Sequence, residues 1–217
     1  MYQPKTFFNL EDFEWKNIFE NVENAWEAVP ELKDCVYLFL WQKYGMKVSL
    51  KENFCYREKG VIIEKGVTLK GQILIGENSE IRSGAYLRGP VIIGKNCVVG
   101  NSSEIKNSIL LDGAKAPHFN YVGDSILGNN VNLGAGSVLA NLKHSHSMIK
   151  VGKISTGLRK FGAIVGDEAQ IGCNAVLAPG TIIEKNGWVY PNDSLEGFWT
   201  NKLLLKRMLE KSKESRP

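Results

Sequence analysis

The chain holds three histidines, His118, His144 and His146. Imidazole is the side chain that exchanges a proton near neutral pH. His118 lies in the stretch Ala114–Asn141, AKAPHFNYVGDSILGNNVNLGAGSVLAN, with Tyr121, Asn132 and the run Gly134-Ala135-Gly136. Around this stretch a six-residue repeat runs monotonously, and within it the repeat falters. A regular scaffold that breaks beside a proton-exchanging residue is where acid–base chemistry is expected.

The scaffold follows from the period. Ile63, Leu69, Ile75, Ile81, Leu87, Ile93, Val99, Ile105 and Leu111 are aliphatic residues in a step of six. Four residues after most of these come small or apolar residues such as Ile73, Ser79, Ala85, Val91, Cys97 and Ile109. A helix cannot keep a period of six on one face, and an ordinary strand alternates every two. A hexapeptide period signals a β-helix, in which three short strands close one coil and stacked aliphatics fill the interior. Arg88 and Lys106 are separated by three hexapeptides, one full coil, so they are expected to stack on one side. Two stacked cations make a cradle for phosphate.

The interval from Leu111 to Leu127 falls two positions short of three hexapeptides, before the step resumes at Leu127, Leu133 and Leu139. A longer interruption follows, rich in Lys, Ser and Gly, and loops of that length on a compact scaffold are often functional. The repeat returns from Val165 to Val189. Ahead of it, Trp15, Ile18, Phe19, Val22 and Trp26, then Leu32, Val36, Phe39 and Leu40, have helical spacing. These predict two helices covering one end of the β-helix, with Gly45 as the stop of the second. After Trp199, Leu205, Met208 and Leu209 predict an amphipathic terminal helix. The expected organisation is a helical segment over 1–59, a β-helix over 60–197 with a loop inserted at 142–162, and a helix and tail over 198–217.

Composition narrows the partners. At 23% charged residues the chain is globular, and its net charge of +4 suits a small anionic ligand. There is no arginine-rich tract or nucleic-acid motif, no run near the roughly 20 apolar residues of a membrane span, and no signal-peptide pattern. Cys35, Cys55, Cys97 and Cys173 are scattered without a CxxC, which predicts free thiols and a cytoplasmic location.

The segments AYLRGP, EIKNS, GAKAPHFNYVGD, LGNNVNLGAG and VGDEAQIGCNAVLAPGTII resemble the hexapeptide-repeat acyltransferases. Within that family they resemble the acetyltransferase domain of the bifunctional N-acetylglucosamine-1-phosphate uridylyltransferase/glucosamine-1-phosphate N-acetyltransferases. KISTGLRKFGAIVGDE is similar to sugar-phosphate nucleotidylyltransferases with the same kind of β-helix. The resemblance implies a mainly β fold, a left-handed parallel β-helix, and a homotrimer with sites between neighbouring prisms. It implies acetyl-CoA as cosubstrate and an amino-sugar phosphate as acceptor, supplying precursors of UDP-N-acetylhexosamines. His118 falls on the catalytic base, preceded by Pro117 where the family usually has glycine. Arg88 and Lys106 fall on sugar-phosphate positions, and Tyr121, Asn132 and Asn141 on sugar-contacting ones. Ala135 and Cys173 fall beside the cofactor, and Lys143, Lys150 and Lys153 each match a further ligand-contacting lysine. Residues 1–59 carry no glycine-rich nucleotidyl-transfer signature.

Two other readings fit the same features. One is a non-catalytic sugar-phosphate-binding or assembly subunit. The other is a zinc enzyme of the carbonic-anhydrase type, which shares the β-helix and needs three histidine ligands.

Overall fold

The computed structural model describes residues 2–44 and 53–214; Gly45 lies outside them. Among these residues the chain from Phe54 winds into a three-sided parallel solenoid. The first face has eight strands, Phe54–Arg57 to Phe198–Trp199. The second face has seven, Ile62–Ile63 to Trp188–Val189, and the third has seven, Thr68–Lys70 to Ser194–Leu195. It is mainly β, with helical segments at both ends, consistent with the β-helix expected.

Parallel register fixes which residues stack. Ile75, Ile93, Leu110, Leu127, Val165 and Ile183 form one interior column, each fully buried. Neighbouring strands lie about 4.8 Å apart, so each aliphatic side chain touches the one above and the one below. Full burial of each contributes roughly 1.5–3 kcal/mol. At several corners Asn residues take the left-handed conformation, as at Asn78, Asn96, Asn130, Asn174 and Asn186. Asparagine tolerates it because its short amide hydrogen-bonds locally.

The register corrects the repeat read from the sequence. Leu110, rather than Leu111, enters the interior, pairing with Ile93. The step of six then continues through Ala116 and Val122, both fully buried, before Leu127. The two missing positions are therefore divided, one from each of two successive corners between the third and first faces, at Lys106–Ser108 and Gly123–Ser125. The corner that carries His118 is a regular one. Ala116 is a small filler in an aliphatic slot, which conceals the continuity.

The N-terminal segment lies along the first face, not over an end of the solenoid. It comprises three short helical turns, Pro4–Phe7, Lys16–Phe19 and Ala25–Glu27, and the helix Ala28–Tyr44. Its Phe7, Phe13, Trp15 and Trp26 bury the outward side chains Leu74, Ile92, Ile109, Ile126, Ile164 and Ile182. The strands of this face, Gln72–Ile75, Val91–Ile93 and Thr181–Ile183, are buried on both sides and correspondingly rich in Ile, Leu and Val. The insertion closes over the same face. Its hairpin pairs Lys150–Val151 with Ile154–Ser155, and Phe161 packs 6.4 Å from Trp26.

The terminal helix Asn201–Glu214 docks by a different side from the one its pattern suggests. Leu204 is buried, whereas Leu205 and Leu209 are about half exposed. Arg207 and Lys211 turn inward because both pair with the buried carboxylate of Asp193, Arg207 at 3.0 Å.

Replacing the outward but buried Ile92 by lysine tests the cover. The variant is expected to lose at least about 2 kcal/mol of unfolding free energy in urea, since a charge would enter a dry layer. An unchanged midpoint would mean that this face is open to water.

Candidate functional site

Two columns flank the third face, one at its corner with the second face and the other toward its corner with the first. At the former corner Asn101, His118, Ala135 and Cys173 succeed one another coil by coil. His118 pairs with Asn101, Gly136 N–H donates to the His118 carbonyl at 3.0 Å, and Asn174 N–H donates to the Ala135 carbonyl at 2.9 Å. The His118 side chain is exposed. Its backbone is held by Asn120, whose Oδ1 accepts from His118 N–H at 3.0 Å and whose Nδ2 donates to the Gly134 carbonyl at 2.8 Å. Asn120 is buried, so one side chain clamps the His118 turn to the next coil. Among the described residues the Ala135 N–H has no hydrogen-bond partner, which leaves a donor at the corner one coil from His118. Beside His118, the Phe119 ring is 60% exposed and held at φ +53°.

Pro117 sits in the strand Lys115–His118 without displacing His118 from register opposite Asn101. The coil below accommodates it with Gly100, where any Cβ would lie 1.6 Å from the Pro117 carbonyl oxygen.

The second column runs along the outer surface of the third face. Arg88 pairs with Lys106, and Lys106 with Gly123. Arg88 Nε donates to Glu104 at 2.7 Å, and this bond raises the guanidinium pKa further. Lys106 Nζ donates to Asp124 at 2.7 Å. Asp124 also accepts from Asn107 Nδ2 at 2.7 Å and from Asn141 Nδ2. The Tyr121 hydroxyl donates to Asn141 Oδ1 at 3.4 Å. Partial burial, then the carboxylates of Glu104 and Asp124, push the Tyr121 phenol up, so it stays protonated and a donor at neutral pH. Gly123 makes room for this: a Cβ there would lie 2.7 Å from the Tyr121 hydroxyl.

The structure thus gathers Arg88, Lys106, Tyr121 and Asn141 on the third face, and His118, Ala135 and Cys173 on the adjoining corner. Asn132 faces outward on the second face, between Lys115 and Gln170. It is not brought to the others within one chain. Of the three loop lysines, Lys143 approaches Glu196 at 3.7 Å, while Lys150 and Lys153 are exposed on the insertion. His144 and His146 are exposed on that insertion. Among the described residues no three His, Cys, Asp or Glu side chains form a metal-binding group.

Sequence reasoning does not single out Glu104, Asn107, Asn120 or Asp124. A signal exists for Asp124, which stands three hexapeptides after Lys106. The shortened corner places Asp124 next to Lys106 all the same.

The three-sided solenoid that carries these residues has the fold of the hexapeptide β-helix class. The family profile described as "GMPPB C-terminal domain" matches residues 69–153. The bifunctional sugar-1-phosphate nucleotidylyltransferase/acetyltransferase of Sulfurisphaera tokodaii is 36% identical over 173 residues, 70% of this chain and 43% of that protein. The bifunctional protein GlmU of Methanococcus maripaludis strain C7 is 44% identical over 96 residues, covering 43% of this chain and 23% of its own length. GlmU of Clostridioides difficile is 37% identical over 131 residues, 58% of this chain and 26% of its own. The chain is a homologue of the C-terminal region of these bifunctional proteins and spans less than half of their length.

Asp124 is the hinge of this polar cluster, because one carboxylate holds Lys106, Asn107 and Asn141. Asp124→Ala is expected to lower unfolding free energy by about 1.5–3 kcal/mol, the cost of losing charge-assisted hydrogen bonds. Denaturant unfolding monitored by circular dichroism measures it, and a variant as stable as the parent would show that the network contributes nothing to the fold.

Proposed function

We propose that the protein is an acetyl-CoA-dependent N-acetyltransferase acting on an amino-sugar phosphate, with a glucosamine-1-phosphate-like acceptor. The observation that carries this reading is the third face with its adjoining corner. A free imidazole and an unpartnered backbone N–H stand in consecutive coils of the corner, and a pair of stacked cations lies on the face beside it. The name of the Sulfurisphaera tokodaii relative includes both nucleotidyl- and acetyl-transfer, and the His118 corner suits the second.

In this mechanism the acceptor amine attacks the thioester carbonyl carbon. A C–N bond forms, the C–S bond breaks, and the thiol leaves. His118 accepts the proton that the nitrogen sheds, and general-base assistance of this kind contributes roughly 10²–10⁴-fold. The Ala135 N–H faces the carbonyl oxygen as it gains charge. Arg88 and Lys106 hold the phosphate, while Tyr121 and Asn141 donate to or accept from the sugar. Cys173, one coil beyond Ala135, lies along the pantetheine arm.

The open surfaces support a homotrimer. The first face is covered by the N-terminal segment, so a homotrimer joined through prism faces uses the second and third. Their exposed apolar residues include Ile62 and Trp188 on the second. That arrangement would return Asn132, stranded within one chain, to a site shared between neighbours. The cytoplasm, where acetyl-CoA and sugar phosphates meet, suits this chemistry. Among the described residues no helix is long and apolar enough to cross a membrane.

His118→Ala is expected to reduce glucosamine-1-phosphate-dependent thiol release from acetyl-CoA at least about 100-fold, with thermal stability unchanged because the side chain is exposed. Full activity would sink the mechanism. Binding of the sugar phosphate by the parent protein without turnover would favour a non-catalytic subunit. Alkylation offers an independent readout. Burial pushes the Cys97 thiol up to about 12 and those of Cys35 and Cys55 up to about 11, whereas Cys173 is exposed. Iodoacetamide should label Cys173 first, and saturating acetyl-CoA should slow that labelling. Light scattering should give about three times the 24.2 kDa chain mass. A monomer would remove the shared site.

A further inference from the structure

The cation column does not stop at Arg88. Lys70 pairs in register with Arg88, as Arg88 does with Lys106, so the outer surface of the third face carries Lys70, Arg88 and Lys106 in three successive coils. At about 4.8 Å per coil, the three stand in a straight ladder. They line one open cleft of about 470 Å³ with Gly71, Pro90 and Asn107. The cleft leads away from the His118 coil, toward the N-terminal end of the solenoid.

The three cations are not equivalent. Glu104 neutralises Arg88, and Asp124 neutralises Lys106. Among the described residues the Lys70 ammonium has no ion-pair or hydrogen-bond partner, and the side chain is exposed. The uncompensated charge of the ladder therefore sits at its far end. A phosphate attached directly to a sugar near Tyr121 would meet Lys106 and Arg88. A second anionic group, one step further from the sugar, would meet Arg88 and Lys70.

We infer that Lys70 is a specificity-determining residue for a second phosphoryl group, and that the ladder selects an amino sugar carried on a nucleoside diphosphate over the simple sugar 1-phosphate. This rests on the acetyl-transfer reading only for the sugar's position. The anion ladder itself is tested by binding.

The experiment measures dissociation constants of UDP-glucosamine, glucosamine 1-phosphate and inorganic pyrophosphate by titration calorimetry, for the parent chain, Lys70→Ala and Lys70→Arg. The parent should bind UDP-glucosamine more tightly than glucosamine 1-phosphate. Lys70→Ala should weaken UDP-glucosamine and pyrophosphate about tenfold or more, the scale of one lost charge-assisted contact. Binding of glucosamine 1-phosphate should stay within about twofold, and Lys70→Arg should restore the diphosphate preference. Weakening of UDP-glucosamine but not of pyrophosphate would place the contact on the nucleoside and overturn the phosphoryl assignment. Equal effects on all three ligands, no effect, or no preference in the parent would also overturn it. Thiol release with acetyl-CoA, run alongside, separates the two readings. Turnover of glucosamine 1-phosphate without any diphosphate preference sinks the ladder and leaves acetyl transfer standing. A Lys70-dependent preference without turnover does the reverse.

Discussion

The parallel register of one coil on the next is the constraint from which the rest follows. Each strand contributes only two to four residues, too few to hold its place alone. What holds it is the column of aliphatic side chains in the interior, where Ile75, Ile93, Leu110, Leu127, Val165 and Ile183 touch in turn. Slipping any coil by one residue would turn these side chains out and bring polar ones in. The same register, read on the outer surface, sets every neighbour in the site. Arg88 lies beside Lys106, Lys106 beside Gly123, and His118 one coil from Ala135.

Shortened corners use this rigidity. Losing one residue between Lys106 and Ser108, and another between Gly123 and Ser125, leaves the interior column unbroken. The tightened turns put Asn107 and Asp124 in the left-handed conformation, at φ 48° each, and bring their side chains together at 2.7 Å. Asp124 then fixes Lys106 and Asn141 as well. The polar network is local and fully partnered, which is the condition under which buried polar groups rigidify a structure instead of weakening it. The His118 corner is ordered in a parallel way, by Asn120 beneath it.

The helical cover divides the prism into working and closed surfaces. Aromatic side chains from the N-terminal segment and Phe161 from the insertion seal the first face. The second and third faces stay open, and the residues with chemistry to offer stand on those two faces and the edge between them. A solenoid has no natural front, because its three sides are built alike. Covering one side gives it one.

The six-residue period determined the β-helix, because no other regular structure keeps aliphatic residues in that step. One-coil spacing determined the stacking of Arg88 on Lys106, since three hexapeptides return the chain to the same side. The apolar triplets Ile73-Leu74-Ile75 and Val91-Ile92-Ile93 already contained the information that the first face is buried on both sides. Read only for their period, they did not reveal what covers it. Other matters were decided by the tertiary structure. A missing residue can be lost at any corner, and only the pairing of Leu110 with Ile93 shows which. The docking side of the terminal helix depended on Asp193, a buried charge that draws Arg207 and Lys211 inward over the apolar pattern. Asn132 shared a motif with His118 yet faces another side, because adjacency along the chain and adjacency around a prism are different things: a coil turns a corner with every hexapeptide, and side chains on either side of a corner point apart.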